Sequence, residues 1–169
     1  DTMCEDAETM RVRAEFGKVD GATYRMLKEA ATAKLREAVA RDPRHARALN
    51  DLAYELDAQG KYAEAEPLFR QALEIDKKVH GDEPHEDVAG DMGNLANVLE
   101  ELKRYDEAEA LYRQALEMRK KVHGEEHPSV AIALNNFAMF LRNQDPDSAE
   151  AARLGKQALE IAEKTLDPD

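Results

Sequence analysis

The stretch YAEAEPLFRQALEIDKKVHGDE, from Tyr62 to Glu83, returns 43 residues later as YDEAEALYRQALEMRKKVHGEE, from Tyr105 to Glu126. Sixteen of its 22 positions are identical in the second copy. A weaker third copy, SAEAARLGKQALEIAEKTLD, runs from Ser148 to Asp167. A fixed period of this length marks a repeat architecture, in which one supersecondary unit stacks on the next. Inside the copies the apolar residues follow the helical period: Ala65, Phe69, Ala72, Leu73 and Ile75, then Ala108, Tyr112, Ala115, Leu116 and Met118.

Working outward, each copy is preceded by a second amphipathic run. Leu49, Leu52, Ala53 and Leu56 share one face of a helix expected over 46–59, and Gly60 ends it. Met92, Leu95, Ala96 and Leu99 do the same over 86–102, and Leu134, Phe137, Ala138 and Leu141 in the last unit. The helices that follow are expected over 62–80, 105–123 and 148–165. Further upstream, Thr23 is placed to N-cap a helix reaching Arg41, with Met26, Leu27, Ala30, Ala31, Leu35, Ala38 and Val39 along one stripe. Pro43 closes that helix by pushing the residue before it out of helical geometry. Residues 7–16 form at most a short helix, broken at Gly17 and Gly21. The domain reading is an ill-defined segment over 1–22, one helix of a partial first repeat over 23–45, and three units over 46–85, 86–128 and 129–169.

At this point the residues carry a resemblance. The order Leu49, Leu52–Ala53, Leu56, Gly60, Tyr62, Ala65, Phe69, Ala72 resembles the tetratricopeptide (TPR) helix–turn–helix signature, and the next two units keep its slots. The unit is longer than the common 34-residue repeat. With its closing KKVHGDEP and KKVHGEEHP it is similar to the repeats of the kinesin light chain group. The resemblance implies an all-α, right-handed superhelical solenoid of stacked antiparallel helix pairs. Its inner groove would be lined by the first helix of each pair. Gly155 stands where the earlier copies have Phe69 and Tyr112, so the last unit is expected to be thinner and looser.

The groove face follows from spacing. At about 100° per residue, Arg47, Asn50, Tyr54 and Asp57 form a stripe separate from the core positions. Its equivalents are Gly90, Gly93, Asn97 and Glu100, then Ile132, Asn135, Met139 and Arg142, flanked by Asn94 and Asn136. Asparagine is a mediocre helix former. Its amide both donates and accepts, so it pairs with a peptide backbone of any sequence; the plainer alternative is that these amides bridge neighbouring helices. The expected peptide-binding set is Arg47, Asn50, Tyr54, Asn94, Asn97, Asn135, Asn136, Met139 and Arg142. The resemblance implies this use of asparagine. It also implies that a lysine-based carboxylate clamp is missing, since the stripe holds arginines and acids and no lysine.

The net charge is −12, and all of the excess acid lies in 46–169. Such a surface repels phosphate backbones, so nucleic acid is not an expected partner. No apolar run approaches a membrane span, and no basic–apolar leader is present. The chain opens on Asp1 and not Met, which reads as a piece of a longer product. A cytoplasmic setting is expected. Cys4, the one cysteine, excludes an intrachain disulfide framework and reads as a bystander thiol. His80 and His123 precede helix-ending glycines, where imidazole is placed for the last carbonyls. His80 with His85, and His123 with His127, lie across a helix end, so no metal or cofactor is expected. The carboxylates alternate with Lys and Arg at i, i+3/i+4, as in Glu74 with Lys77 and Lys78. No phosphate loop or nucleophile elbow appears. The function read from sequence is therefore non-catalytic: a protein or peptide ligand held in the groove by an adaptor or scaffold. Self-assembly into a homo-oligomer, or service as the regulatory or sensor arm of a larger enzyme or signalling protein, are the alternatives.

Overall fold

The computed structural model describes residues 21–166. The expected short helix over 7–16, its break at Gly17 and the thiol of Cys4 lie outside them. The described residues form seven helices and no strand: α1 Gly21–Arg41, α2 Ala46–Asp57, α3 Tyr62–His80, α4 Glu86–Glu101, α5 Tyr105–His123, α6 Pro128–Gln144 and α7 Ala149–Leu166. Helix ends fall within two residues of the sequence reading, except at the start of α1. That helix already includes Gly21, so Thr23 sits inside it and not at its N-cap. Its apolar stripe is also narrower than expected. Ala31 and Leu35 are buried, but Met26 is 69% exposed and Ala30 is exposed.

The chain divides into two compact units, Asp1–Ile75 and Asp76–Asp169. In the first, α1 packs on α2. Ala31 and Leu35 of α1 and Leu49, Leu52, Ala53 and Leu56 of α2 are buried. Polar pairs accompany this core. Gln59 Nε2 donates to Thr32 Oγ1 at 2.9 Å, and Lys28 Nζ lies 3.8 Å from the buried Glu55 carboxylate. In the second unit, α4 packs on α5, α5 on α6, and α6 on α7. Its centre is aromatic. Tyr112 stacks on Phe137 at 6.0 Å between ring centroids, and Phe140 tilts against Tyr112 at 5.1 Å. Phe137 and Phe140 are both almost fully buried. Arg113 lays its guanidinium over the Phe137 ring at 4.9 Å and makes a two-armed bond to Glu150 of α7 at 2.8 and 3.0 Å.

The turns inside the first two helix pairs, α2–α3 and α4–α5, share one geometry. After α2, the Lys61 N–H donates to the Leu56 carbonyl at 2.9 Å and Gly60 to Asp57 at 2.8 Å. After α4, Arg104 donates to Leu99 at 2.8 Å and Lys103 to Glu100 at 2.9 Å. This is the Schellman arrangement, and it needs a left-handed residue. Gly60 supplies it at φ +72, whereas Lys103 is forced to φ +62. The three pair-opening helices, α2, α4 and α6, share another device. Their N-caps are His45, His85 and His127, and each imidazole accepts from a first-turn N–H. Serine, threonine and asparagine are the usual caps, which is why the sequence reading passed over these histidines.

Two outcomes test this account. Lys103→Gly removes a side chain from a left-handed position that costs roughly 1 kcal/mol, so it should raise stability by about 0.5–1 kcal/mol in urea unfolding, and Gly60→Ala should lower it by a similar amount. The second concerns Glu150, whose carboxyl is held below its ordinary value first by its hydrogen bonds to Arg113. A depressed carboxyl stabilises the fold above its unfolded pKa and loses that contribution as pH falls through the folded one. Because the pair is largely solvent-screened, Glu150→Gln should cost at most about 1 kcal/mol at neutral pH. The gap to wild type should close in acid, as read by urea unfolding at both pH values.

Candidate functional site

In the second unit the expected stripe residues lie on α4 and α6. Gly90 and Gly93 are half-buried, Asn97 is exposed, and Glu100 is half-buried. On α6, Ile132, Asn135, Met139 and Arg142 are all exposed. Glu100 ties the two helices together: Asn143 Nδ2 of α6 donates to its Oε1 at 3.0 Å. The same carboxylate has Oε2 3.2 Å from the Tyr112 hydroxyl.

The Tyr112 hydroxyl donates to Asn97 Oδ1 at 2.6 Å. Burial first, and then the charge of Glu100, hold this phenol above its ordinary range, so it keeps its proton and acts as donor. With Oδ1 engaged by Tyr112, the Asn97 amide is fixed in one orientation. Its two N–H donors are directed away from Tyr112, on an exposed residue. Asn97 therefore joins α4 to α5 while its amide N–H groups stay on an exposed residue. Asn135 also has a local partner, with Nδ2 3.5 Å from Met139 Sδ. Asn94 and Asn136 are half-buried at the flanks.

Between α6 and α7 lies an open cleft of about 370 Å³ lined by Ala131, Ile132, Asn135, Gly155, Ala158, Leu159 and Ala162. Gly155 opens one side of it by omitting the aromatic found at Phe69 and Tyr112, as the expectation of a thin last unit requires. Ile132 and Leu159 expose their side chains on this face.

In the first unit, α2 carries the remaining expected residues. Tyr54 is 48% exposed. Arg47 is exposed with Nε 4.0 Å from Asp51 Oδ2. Asn50 is half-buried and its Oδ1 is shielded from solvent. Sequence reasoning passed over Tyr112 and Glu100 as groups that orient the site. The signal was there in the replacement of Phe69 by a tyrosine at the equivalent slot, with an acid and an asparagine one helix earlier. It also passed over Phe140, three residues after Phe137 and so on the same helical face.

The histidine pairs differ from their expected placement. His80 and His85 stack with ring centroids 3.4 Å apart, and His123 and His127 at 4.3 Å. Spacing suggested that each pair is split by a helix end. In the structure the glycine after the helix turns left-handed, at φ +65 for Gly81 and +87 for Gly124, and the two rings meet across the linker.

Two tetratricopeptide repeat models match the chain, one over residues 45–87 and the other over residues 89–164. No curated protein is matched by the chain. Among solved structures, BtubC (BKLC) from P. vanneervenii is 25% identical with a TM-score of 0.70, covering 96% of this chain and 64% of that one. The chain thus spans a little under two thirds of that relative's length. The nearly identical TPR-like repeats of a Podosopora anserina protein described as a kinesin light chain are 21% identical at a TM-score of 0.68, covering 96% and 86%. MamA is 18% identical at 0.64, covering 95% and 81%. The last two likenesses are of fold, and they share the stacked helix pairs described above. No helix among the described residues is long and apolar enough to cross a membrane. With both repeat models spanning most of α2 to α7, the chain belongs to the tetratricopeptide repeat family, a family of protein–protein interaction modules.

Proposed function

We propose that this chain is a non-catalytic adaptor or scaffold that binds an extended peptide segment along the groove face of its repeats. The observation that carries the reading is the locked amide of Asn97. An asparagine whose carbonyl is held by a buried tyrosine presents only donors outward, and a row of peptide carbonyls is the natural complement. Asn135 and Met139 on α6 extend the same face with a second amide and an apolar contact. Ile132 and Arg142 flank them, and Asn94 and Asn136 lie alongside. Arg47, Asn50 and Tyr54 hold the corresponding positions on α2. The division into repeat units over 46–85, 86–128 and 129–169, with 23–45 a partial first repeat, is part of the same reading.

The excess of acid favours a ligand that is basic, or mixed polar and apolar. Nucleic acid is disfavoured on the same ground, and a cytoplasmic setting accords with the reading. Backbone recognition gives affinity without much sequence demand, so the flanking side chains would set specificity. The alternatives of self-association and of a regulatory arm in a larger enzyme have no comparable feature behind them.

The test begins with selection from a random displayed-peptide library, followed by binding of a selected peptide to variants. Asn97→Ala combined with Asn135→Ala should weaken binding at least tenfold while leaving the helical circular dichroism unchanged. Tyr112→Phe separates the two roles of Asn97. Losing that hydroxyl should cost about 1 kcal/mol of stability and weaken peptide binding by a smaller factor, since the Asn97 amide persists but is no longer fixed. Selected peptides that bind the double variant as tightly as wild type would place recognition elsewhere.

A further inference from the structure

The linker between α3 and α4 brings together three groups of metal-ligand chemistry. His80 is in the last turn of α3, His85 is the N-cap of α4, and Asp87 is in its first turn. One ligand atom from each lies within 4.8 Å of the other two. Asp87 Oδ2 is 3.8 Å from His80 Nε2 and 3.5 Å from His85 Nδ1. Around a tetrahedral zinc ion with bonds near 2.0–2.1 Å, neighbouring ligand atoms are about 3.3 Å apart. The two spacings to Asp87 are therefore a few tenths of an ångström wide, and all three ligand atoms lie within 4.8 Å of one another.

We propose that His80, His85 and Asp87 form a site for a divalent transition-metal ion of the zinc type. Two imidazole nitrogens and one carboxylate oxygen are the borderline donor set that such ions prefer over magnesium or calcium. The tautomer of His85 suits the role. Its Nδ1 accepts the Asp87 N–H at 3.2 Å, so that nitrogen carries a lone pair and no proton. A cation at Nδ1 replaces this long capping contact and meets no proton to displace. The rings stack in nearly parallel planes, 11° apart, so sharing an ion requires the imidazoles to turn until their in-plane lone pairs converge. The side chains of His80, His85 and Asp87 are 24%, 40% and 65% exposed, so water can enter and complete the coordination shell.

The surroundings attract cations. Asp82, Glu83, Glu86 and Asp87 fall within six residues, on a chain of net charge −12. The C-terminal end of α3 adds the negative pole of its helix. Lys77 and Lys78 oppose this field from the same last turn, but they are exposed and screened by solvent. The equivalent linker after α5 shows what a filled arrangement looks like. There Glu86 Oε1 accepts from Arg119 at 3.1 Å, while Oε2 lies 3.0 Å from His123 Nε2. His127 Nδ1 is taken by the N–H of Ser129 at 3.1 Å and lies 2.9 Å from its hydroxyl. The second pair differs in its carboxylate: Ser129 stands where the first linker has Asp87, and Glu86 is already paired with Arg119, so it serves as an internal control.

A bound ion would tie the end of α3 to the start of α4 and stabilise the folded chain by mass action. The test is calorimetric titration of zinc chloride into the whole chain carrying Cys4→Ser, which removes the competing thiol, together with thermal unfolding at increasing zinc. One equivalent should bind and the melting temperature should rise. His80→Gln and Asp87→Asn should each weaken binding at least tenfold and abolish the rise, while His123→Gln should bind as the parent does. Circular dichroism of each variant establishes that it is folded. Two results would overturn the proposal: no heat and no shift up to about 1 mM zinc, or undiminished binding by a folded His80→Gln, Asp87→Asn double variant.

Discussion

A helix pair of this kind cannot bury its own apolar stripe, and that constraint governs everything else in the second unit. Leu95, Ala96 and Leu99 of α4 meet Ala108, Tyr112, Ala115 and Leu116 of α5, and the pair still leaves one flank of Tyr112 open. The Phe137 and Phe140 rings of α6 close it. Because the buried ring is a tyrosine, its hydroxyl must find partners, and it finds them in Asn97 and Glu100. The packing contact and the ordering of the candidate binding face are thus one interaction. Each aromatic of this size contributes a few kcal/mol through burial, whereas a net hydrogen bond contributes about 1 kcal/mol. The ring holds the helices together, and the hydroxyl decides which way the surface amide points.

The fold was legible in the sequence because it is stated repeatedly. A single amphipathic run is ambiguous, but the return of EAE-xxxRQALE at a fixed interval is not. The helix ends were legible where a glycine takes the left-handed position, as at Gly60, Gly81 and Gly124. The end before Lys103, which adopts the same conformation without being glycine, is placed as closely, within one residue. The N-terminal edge of α1 was misjudged because Gly21 was taken as a breaker, although a glycine in a helix costs only about 1 kcal/mol and packing readily absorbs it.

The candidate site was legible only in outline. Helical spacing separates the stripe of Asn97, Asn135 and Met139 from the core, because angle around a helix is a local property. It says nothing about what a side chain meets on the next helix. The partnership of Tyr112 with Asn97, the bridge from Asn143 to Glu100, and the stacking of His80 on His85 all depend on how two elements meet in space. The histidine pairs are the clearest case. Four residues separate His80 from His85, including a glycine and a proline, and linear distance across such a linker carries no information about whether the rings converge. The left-handed turn at Gly81 brings them together.

The division of labour between the two helices of a pair follows from the same physics. The second helices, α3 and α5, repeat most of their sequence, and on α5 the repeated small and aromatic residues face both α4 and α6. The opening helices bury more of their surface than the second helices, and on α4 and α6 only a narrow stripe faces outward. Their outward stripe varies: Arg47, Asn50 and Tyr54 on α2, Gly90, Gly93 and Asn97 on α4, Ile132, Asn135 and Met139 on α6. Variation is concentrated in this stripe against a repeating background, although Asn97 also accepts the Tyr112 hydroxyl and so shares in the packing. Gly155 marks the limit of this logic. It stands on a second helix, at a slot where the earlier copies are aromatic. Its lack of a side chain leaves the α6–α7 cleft open, so the strict repeat is relaxed at one core position and the face beside Asn135 acquires a concavity that neither packing pattern nor spacing on α6 alone would produce.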